Sequence, residues 1–363
     1  MSIIGVLYLS ISKEWFSMQL SVIMPVYNCR EYLEDAVRSV FLGGASDIEL
    51  IAVDDCSTDG SRELLLSLAE ADRRIKPILF EKNSGVARVR NAALSAASGK
   101  YLAFCDSDDT VPEGAYAAML GEIGDADVLV CAFADVSDGG VFRETHVERG
   151  DRKSLFRSLF SVSCLWNKLF LSAPIKDAAL SFDEDMKIGE DVVFLARLSN
   201  LDIRHRISDK LVYNHCHHES AKTPSLTHIY TLSAFREHLE CRRRLLKISK
   251  APECRDYVYT NFIEYLDRFL VFISDPEERA TAFAEYKEFL SGYDFESRGA
   301  AFRAMTGVDY KDFVSSGADA YIQLKYDALP RDRVLDEFRG GKIGLRWVFL
   351  YFKAWLAYKF SKK

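Results

Sequence analysis

The chain has 363 residues, of which 48% are hydrophobic and 28% charged, the composition of a folded globular protein rather than a disordered one. A chain of this length typically forms two domains. Its net charge of −7 argues against a nucleic-acid partner, because binding a phosphate backbone requires a basic surface. Eight cysteines are present and none forms a CxxC pair, so we interpret them as reduced thiols of a cytoplasmic protein.

The first 18 residues are predicted to be an N-terminal extension. Residues 3–11 form an apolar run that no basic residue precedes, unlike the apolar region of a secretory signal peptide. The run is also too short to span a bilayer, which takes about 20 apolar residues. We therefore interpret residues 1–18 as a loosely packed extension, with Met18 as an alternative start of translation.

Residues 19–226 are predicted to form an α/β domain. Short apolar runs typical of buried strands alternate with segments of helical periodicity. The strands are predicted at residues 19–26, 48–53, 76–80 and 101–105, and the helices at 31–41, 62–71 and 86–97. Asp59 or Ser61 is the expected N-cap of the second helix, and Gly99 the expected end of the third. This alternation predicts a largely parallel sheet with helices on both faces.

Polar residues follow the predicted strands at the point where each strand ends. They are Tyr27-Asn28, Asp54-Asp55 and Asp106-Ser107-Asp108-Asp109. In a parallel sheet, ligands bind outside the carboxyl ends of the strands. These three segments therefore predict one binding site at that edge.

The most acidic of these segments is residues 106–109. Carboxylates two positions apart can converge on one hard cation, and Mg²⁺ or Mn²⁺ bound in this way keeps coordination positions for phosphate oxygens. The alternative is a polar turn before the next helix, with Thr110 and Pro112 at its start. In the same way, a carboxylate of Asp54 or Asp55 can accept a hydrogen bond from a nucleobase, or can simply form an Asx-turn.

Two further segments carry charges near predicted helix starts. Arg88 and Arg90 follow Asn83 at the start of the third helix, and a helix N-terminus and a guanidinium both favour phosphate. The alternative is a solvated helix face. Glu190 and Asp191 precede an apolar helical segment, where a carboxylate can serve as a general base or merely interact favourably with the helix dipole.

A histidine-rich segment occupies residues 213–218. Neighbouring side chains on a strand point to opposite faces, so at most His215 and His217 can converge. We interpret the segment as an exposed strand end rather than a dedicated zinc site.

From about residue 227 the sequence shows long helical patterns without strands, at residues 230–250, 253–273 and 276–290. They predict a helical C-terminal domain over residues 227–338. Residues 339–363 then contain seven basic residues, seven aromatic residues and no acidic ones. Aromatic and basic residues together are typical of a helix at an anionic membrane surface, so we predict a basic, aromatic, membrane-associated tail. The alternative is a helix packed on the protein's own core.

The motifs together resemble the family 2 glycosyltransferases with the GT-A fold, from about residue 20 to residue 220. The matching segments are SVIMPVYN (21–28), IELIAVDDCSTDGS (48–61), NSGVARVRNAAL (83–94), GKYLAFCDSDD (99–109), WNKLF (166–170) and GEDVVF (189–194). Cys56 departs from the pattern, since the family more often has Gly there. The resemblance implies an inverting transferase of bacterial surface polysaccharide synthesis, with a nucleotide-sugar donor that is often a UDP-sugar and a glycan or lipid-linked acceptor. The cysteines and the basic, aromatic tail predict a cytoplasmic protein that is peripheral on the inner face of the cytoplasmic membrane.

The resemblance also implies roles for individual residues. The donor-binding residues are Pro25, Tyr27, Asn28, Asp54, Asp55, Asn83, Arg90 and Asp106. Among these, the first three are implied to frame the nucleobase, Asp54 to hydrogen-bond it and Arg90 to face the phosphates. Asp108 is implied to ligate Mg²⁺ or Mn²⁺, with Asp106 beside it.

On the acceptor side, the resemblance implies that Asp191 is the catalytic base, with Glu190 next to it, and that Trp166 and Lys168 line the acceptor site. Three other classes of protein match the sequence less well. A sugar-phosphate nucleotidyltransferase usually has a glycine-rich loop after its first strand, and residues 27–30 contain no glycine. A non-catalytic nucleotide-sugar binding module would be expected to lack a base. A dehydrogenase is disfavoured because no GxGxxG motif follows a strand.

Overall fold

The structure is a computed structural model that describes residues 18–137, 139–147, 154–218, 229–261, 263–295, 302–303 and 306–328. The chain divides into two compact units, residues 1–220 and 221–363. The predicted domain boundary near residue 226 lies outside the described residues. So do the predicted N-terminal extension, except for Met18, and the predicted tail over residues 339–363.

The first half of the sheet follows the predicted alternation. Its strands are β1 (Leu20–Val26), β2 (Ile48–Asp54), β3 (Ile75–Leu79) and β4 (Tyr101–Phe104), and its helices are α1 (Arg30–Leu42), α2 (Ser61–Ala71) and α3 (Val86–Ala96). The strands lie in the order β3-β2-β1-β4, and every pair among them is parallel. Their carboxyl ends therefore meet at one edge, as the sequence predicted.

The second half of the sheet is mixed, which the sequence did not predict. Its strands are β5 (Val128–Ser137), β6 (Gly140–Thr145), β7 (Lys168–Leu171) and β8 (His205–Cys216). Strand β7 is antiparallel to both β4 and β5, β6 is antiparallel to β5, and β8 is parallel to β5. The helices of this half are α4 (Ala115–Ile123), α5 (Leu155–Phe160), α6 (Ser172–Asp177) and α7 (Glu190–Leu198).

Burial of apolar side chains fixes where these elements lie. Every residue of β2 is buried, as expected for a strand covered on both faces. Helix α1 buries Leu33, Ala36, Val37 and Val40, a spacing of three and four residues that forms one helical stripe. Full burial of a Leu or Val side chain contributes about 1.5–3 kcal/mol, so this stripe holds α1 against the sheet.

Two predicted helix ends differ in the structure. Helix α2 has Gly60 at its N-cap position, and the carboxylate of Asp59 accepts the backbone N–H of Ser61 at 3.0 Å and that of Arg30 at 3.0 Å. Asp59 therefore links the first turns of α1 and α2 instead of capping one helix. Helix α3 ends before Gly99, where a Cβ atom would lie 2.5 Å from the backbone nitrogen of Ser21. Gly99 thus permits close contact with β1.

The C-terminal unit is helical over its described residues, as predicted. Its helices are α8 (Leu232–Ile248), α9 (Cys254–Asn261), α10 (Ile263–Phe272), α11 (Pro276–Ser291), α12 (Tyr310–Ser315) and α13 (Ala318–Ala328). The segment predicted as one helix over residues 253–273 contains two. Asp275 caps α11 by accepting the backbone N–H groups of Glu277 and Glu278, with Pro276 at the first helical position, where its missing N–H costs nothing. Within the described part of the chain, no helix is long and apolar enough to cross a bilayer.

Candidate active site

The acidic turn at residues 106–109 follows β4 directly, and its last residue anchors it. Asp109 is buried, and its carboxylate accepts the hydroxyl of Tyr213 at 2.8 Å and the backbone N–H of Cys216 at 2.6 Å. The same hydroxyl accepts the backbone N–H of Asp106 at 2.9 Å. Tyr213 and Asp109 therefore fix the turn to β8. Of the three carboxylates in the turn, those of Asp106 and Asp108 are the two that solvent can reach.

Those two carboxylates suit a hard cation. Asp108 is exposed and Asp106 is half-buried. Desolvation by the surrounding protein is the larger cause that raises the pKa of Asp108, and the negative charge of Asp106 is the second. This mutual repulsion is what a bound cation would relieve, and carboxylate oxygens are the ligands that Mg²⁺ takes. The imidazole of His218 lies 2.7 Å from the backbone oxygen of Asp108 and stacks on Tyr32 at 3.7 Å between ring centroids.

Arg90 connects this turn to the start of α7. Its guanidinium pairs with the carboxylate of Glu190 and lies 3.5 Å from the carboxylate of Asp106. Arg90 is 9% exposed, and its buried Nε atom has no hydrogen-bond partner among the residues that the structure describes. A buried N–H group without an acceptor costs free energy, and a phosphate oxygen of a ligand would supply one. Arg88, by contrast, pairs with Glu184 at the surface.

Helix α7 begins at Glu190, after Gly189 in the left-handed conformation. Burial, and then the neighbouring charge of Glu190, raise the pKa of Asp191, while Arg90 lowers it. Desolvation therefore outweighs the favourable effect of the helix dipole on the ionised carboxylate. A raised pKa makes Asp191 the stronger base, whereas Glu190 is held by Arg90.

The two aspartates after β2 both hold loops. Asp54 is fully buried, and its carboxylate pairs with the Arg62 guanidinium at 2.8 Å and accepts the backbone N–H of Ser57 at 3.3 Å. The nucleobase contact expected of Asp54 stays a prediction, and in this structure its carboxylate binds Arg62 and Ser57 below the surface. Asp55 accepts the backbone N–H groups of Ser84 and Gly85 at 2.7 and 2.9 Å, and so supports the loop before α3.

The residues expected around the nucleobase lie at the ends of β1 and β3. Tyr27 is 51% exposed, and Pro25 is half-buried within β1. Asn28 adopts a positive φ of 49° and accepts the backbone N–H of Thr58 at 2.8 Å. Asn83 is exposed in the loop that Asp55 supports. Cys56, where the family more often has Gly, also has a positive φ of 63°.

Trp166 and Lys168 were both expected on the acceptor side, and they differ in how far they are buried. The Trp166 ring is half-buried and stacks on the ring of Tyr213, with 4.4 Å between centroids. Lys168 is fully buried, and its ammonium donates to the backbone oxygens of Val162 and Cys164 and to the side chain of Asn167. Burial lowers the pKa of Lys168 to about 8. Lys168 therefore organises the loop before β7, and its expected contact with an acceptor stays a prediction.

Sequence reasoning missed Tyr213, Arg62 and His218 as parts of this site. Tyr213 lies 104 positions from the aspartate that it contacts, and no local pattern reveals such a pair. Arg62 lies only eight positions from Asp54, in the first turn of α2, so its charge at a helix start was a usable signal.

Comparison with known proteins agrees with this geometry. Residues 21–176 match the family model described as Glycosyl transferase family 2. TuaG of Bacillus subtilis (strain 168), named as a proposed glycosyltransferase of teichuronic acid biosynthesis, is 51% identical over 90 residues, which cover 25% of this chain and 36% of TuaG. The poly(ribitol-phosphate) beta-N-acetylglucosaminyltransferase TarS of Staphylococcus aureus (strain Mu50 / ATCC 700699) is 30% identical over 205 residues, 54% of this chain and 35% of TarS. The chain thus spans about a third of the length of these two relatives.

Solved structures share the fold. The crystal structure of S. aureus TarS 1–349 in complex with UDP-GlcNAc has a TM-score of 0.60 and 20% identity, covering 89% of this chain and 92% of that one. The longer TarS crystal structure has a TM-score of 0.61 and 21% identity, covering 85% of this chain and 55% of that one. The α/β unit therefore has the expected GT-A fold and is followed by a helical region.

Proposed function

We propose that this chain, whose residues 21–176 match the family model of family 2 glycosyltransferases, transfers a sugar from a nucleoside diphosphate sugar to an acceptor hydroxyl with inversion. The observation that carries the proposal is the connection of Asp106, Arg90 and Glu190 by ion pairs. That connection brings the acidic turn, a phosphate-binding cation and the carboxylate pair of α7 to one edge of the sheet.

On the donor side, Asp106 and Asp108 would hold Mg²⁺ or Mn²⁺, which neutralises charge on a diphosphate leaving group. The unpartnered Nε of Arg90 would donate to a phosphate oxygen. Tyr27 is exposed at the end of β1 and offers an aromatic face to the nucleobase. UDP is the nucleotide we propose, supported by the TarS complex with UDP-GlcNAc.

On the acceptor side, Asp191 would accept the proton of the acceptor hydroxyl. The acceptor oxygen then bonds to the anomeric carbon, while the bond from that carbon to the diphosphate oxygen breaks. The nucleoside diphosphate leaves with its electron pair, and the proton remains on Asp191. A base with a raised pKa favours this transfer. The half-buried Trp166 offers a flat surface for a sugar ring nearby.

The acceptor class we propose is a glycan or lipid-linked glycan of cell-surface polysaccharide synthesis, as the names of TuaG and TarS suggest for those proteins. We also propose that residues 339–363 hold the protein at the inner face of the cytoplasmic membrane. That segment lies outside the described residues, and its basic and aromatic composition supports the proposal.

The test is a product assay with the full chain, a panel of nucleotide-sugars and either Mg²⁺ or Mn²⁺. We expect release of a nucleoside diphosphate from one donor, with faster release when an acceptor is added. Pyrophosphate release would instead indicate a nucleotidyltransferase. Donor binding by calorimetry without any turnover across the panel would indicate a non-catalytic binding module.

A further inference from the structure

Three potential metal ligands converge on the two strands at the far end of the sheet from β3. His215 lies in β8 and pairs with Asp135 of β5 in the parallel ladder, and His217 directly follows the end of β8. The imidazole nitrogens lie 2.9 and 2.8 Å from the same carboxylate oxygen of Asp135. Among the described residues, these three form the one group of His, Cys, Asp or Glu side chains whose ligand atoms all lie within 4.8 Å of one another.

The surroundings hold all three side chains in place. Asp135 is fully buried, and its second carboxylate oxygen accepts the guanidinium of Arg143 at 2.6 Å. The ring of Trp166 stacks on His215 at 5.6 Å between centroids, and the edge of Phe142 contacts His217 at 5.1 Å. Outer partners of this kind orient metal ligands and are part of most metal sites.

The imidazoles are nevertheless open on one side. Their side chains are 42% and 43% exposed, so a fourth coordination position would face solvent. Ligand atoms around a tetrahedral ion with bonds of about 2.0 Å lie roughly 3.3 Å apart. The nitrogens of His215 and His217 already lie at 2.9 and 2.8 Å from the Asp135 oxygen. A small outward rotation of the side chains would therefore admit an ion.

We propose that Asp135, His215 and His217 bind one Zn²⁺ ion at a site separate from the turn at residues 106–109. This differs from our sequence-based interpretation of residues 213–218, because the third ligand, Asp135, comes from another strand. Two imidazole nitrogens and one carboxylate oxygen are a ligand set that zinc takes with three protein ligands and one open position. Mg²⁺ prefers oxygen ligands and is a poor match for this set. The proposal does not depend on the proposed activity, since it rests on β5 and β8 alone.

Bound zinc would join β5 to the end of β8. That end also carries Tyr213, whose hydroxyl holds Asp106 and Asp109. We therefore expect zinc to stabilise the folded chain and to support the acidic turn indirectly. It would not replace the hard cation of the transfer reaction.

The test is calorimetric titration of the metal-free full chain with Zn²⁺, together with the visible absorption of bound Co²⁺. We expect one ion per chain. Loss of a residue that only hydrogen-bonds a metal ligand lowers metal affinity roughly 10- to 100-fold. His217→Gln and Asp135→Asn change the ligands themselves, so each should lower the affinity for Zn²⁺ by more than that. The matched control is His146→Gln, an exposed histidine beside Glu144, which should bind zinc as the wild type does.

Two results would overturn the proposal. One is the absence of both binding heat and a Co²⁺ spectrum in the wild type. The other is unchanged zinc binding in His217→Gln while Asp108→Asn loses it, since the ion would then occupy the acidic turn. Because His217 is half-exposed, its variant is expected to fold, and circular dichroism checks this. Retention of zinc by Asp108→Asn supports the proposal whether or not the chain proves to be a transferase.

Discussion

The hydroxyl of Tyr213 lies between the backbone N–H of Asp106 and the carboxylate of Asp109, at 2.9 and 2.8 Å. The hydroxyl accepts from the first group and donates to the second. Tyr213 and Asp109 are buried, whereas Asp106 is partly exposed. One hydroxyl thus fixes both ends of the acidic turn. The exposed carboxylates owe their position to a side chain on another strand.

Replacement Tyr213→Phe should therefore lower the free energy of unfolding by about 1–3 kcal/mol, the cost of leaving buried polar groups unpaired. It should also weaken metal-dependent donor binding, because Asp106 and Asp108 lose their fixed spacing. Urea denaturation and calorimetry measure the two effects. Tyr116→Phe is the matched control. Within the described part of the chain, the buried Tyr116 hydroxyl has no hydrogen-bond partner, so its removal should be nearly neutral. Equal effects of both substitutions would contradict the role given to Tyr213.

Metal dependence follows from the same turn. Asp108→Asn removes one charge from the pair of carboxylates that would hold Mg²⁺ or Mn²⁺, so donor turnover should be abolished while the fold persists. EDTA should abolish turnover of the wild type, and added Mg²⁺ or Mn²⁺ should restore it. The control is Asp202→Asn, at an exposed position. Full activity of the wild type in EDTA would show that the transfer needs no divalent ion.

The tail makes a separate prediction. Removal of residues 339–363 deletes seven basic residues and no acidic ones, and each basic residue near an anionic surface contributes about 1 kcal/mol to binding. We expect the full chain to sediment with anionic liposomes, less so as salt is added, and the truncated chain to stay in the supernatant. If the full chain ignores such liposomes at low salt, the tail is a helix packed on the protein.

The parts of this molecule that the sequence predicted are those with local signals. Strands β1 to β4 are short apolar runs that end in polar residues, and the acidic turn and the start of α7 lie where expected. The partners of those residues could not be predicted, because the contacting residues are far apart in the sequence. Tyr213 lies 104 positions from Asp109, and His215 lies 80 positions from Asp135. The burial of Asp54 and Lys168 could not be predicted either, because a charged residue gives no local sign of being enclosed.

The raised pKa of Asp191 predicts how stability depends on pH. The folded state binds this proton more tightly than the unfolded chain, because burial and Glu190 disfavour the charged form. Its stabilising contribution is thus complete below the ordinary aspartate pKa of about 3.9 and is lost as pH rises through the folded value. Asp191→Asn, which cannot ionise, should gain stability relative to the wild type between about pH 5 and pH 8. Thermal unfolding of both proteins across that range measures it, and a constant difference would contradict the raised pKa.

The same carboxylate makes the sharpest prediction about catalysis. If Asp191 takes the acceptor proton, Asp191→Asn should lower kcat by roughly 10²- to 10⁴-fold, the usual contribution of a positioned base. Donor affinity in the presence of metal should change little, because the guanidinium of Arg90 pairs with Glu190 rather than with Asp191. The wild-type rate should fall as pH decreases through the raised pKa of Asp191, since only the ionised form accepts a proton.

Glu190→Gln is the matched comparison, and its expected effect is different. Glu190 neutralises the guanidinium of Arg90, and removing one partner of a buried ion pair costs on the order of 3 kcal/mol. We therefore expect lower stability and weaker donor binding from Glu190→Gln, with kcat at saturating donor less affected than in Asp191→Asn. Steady-state kinetics with both substrates varied, together with calorimetry of donor binding, separate the two. Near-normal kcat for Asp191→Asn with an inactive Glu190→Gln would assign the base to Glu190. Activity in both variants would place the base outside the start of α7.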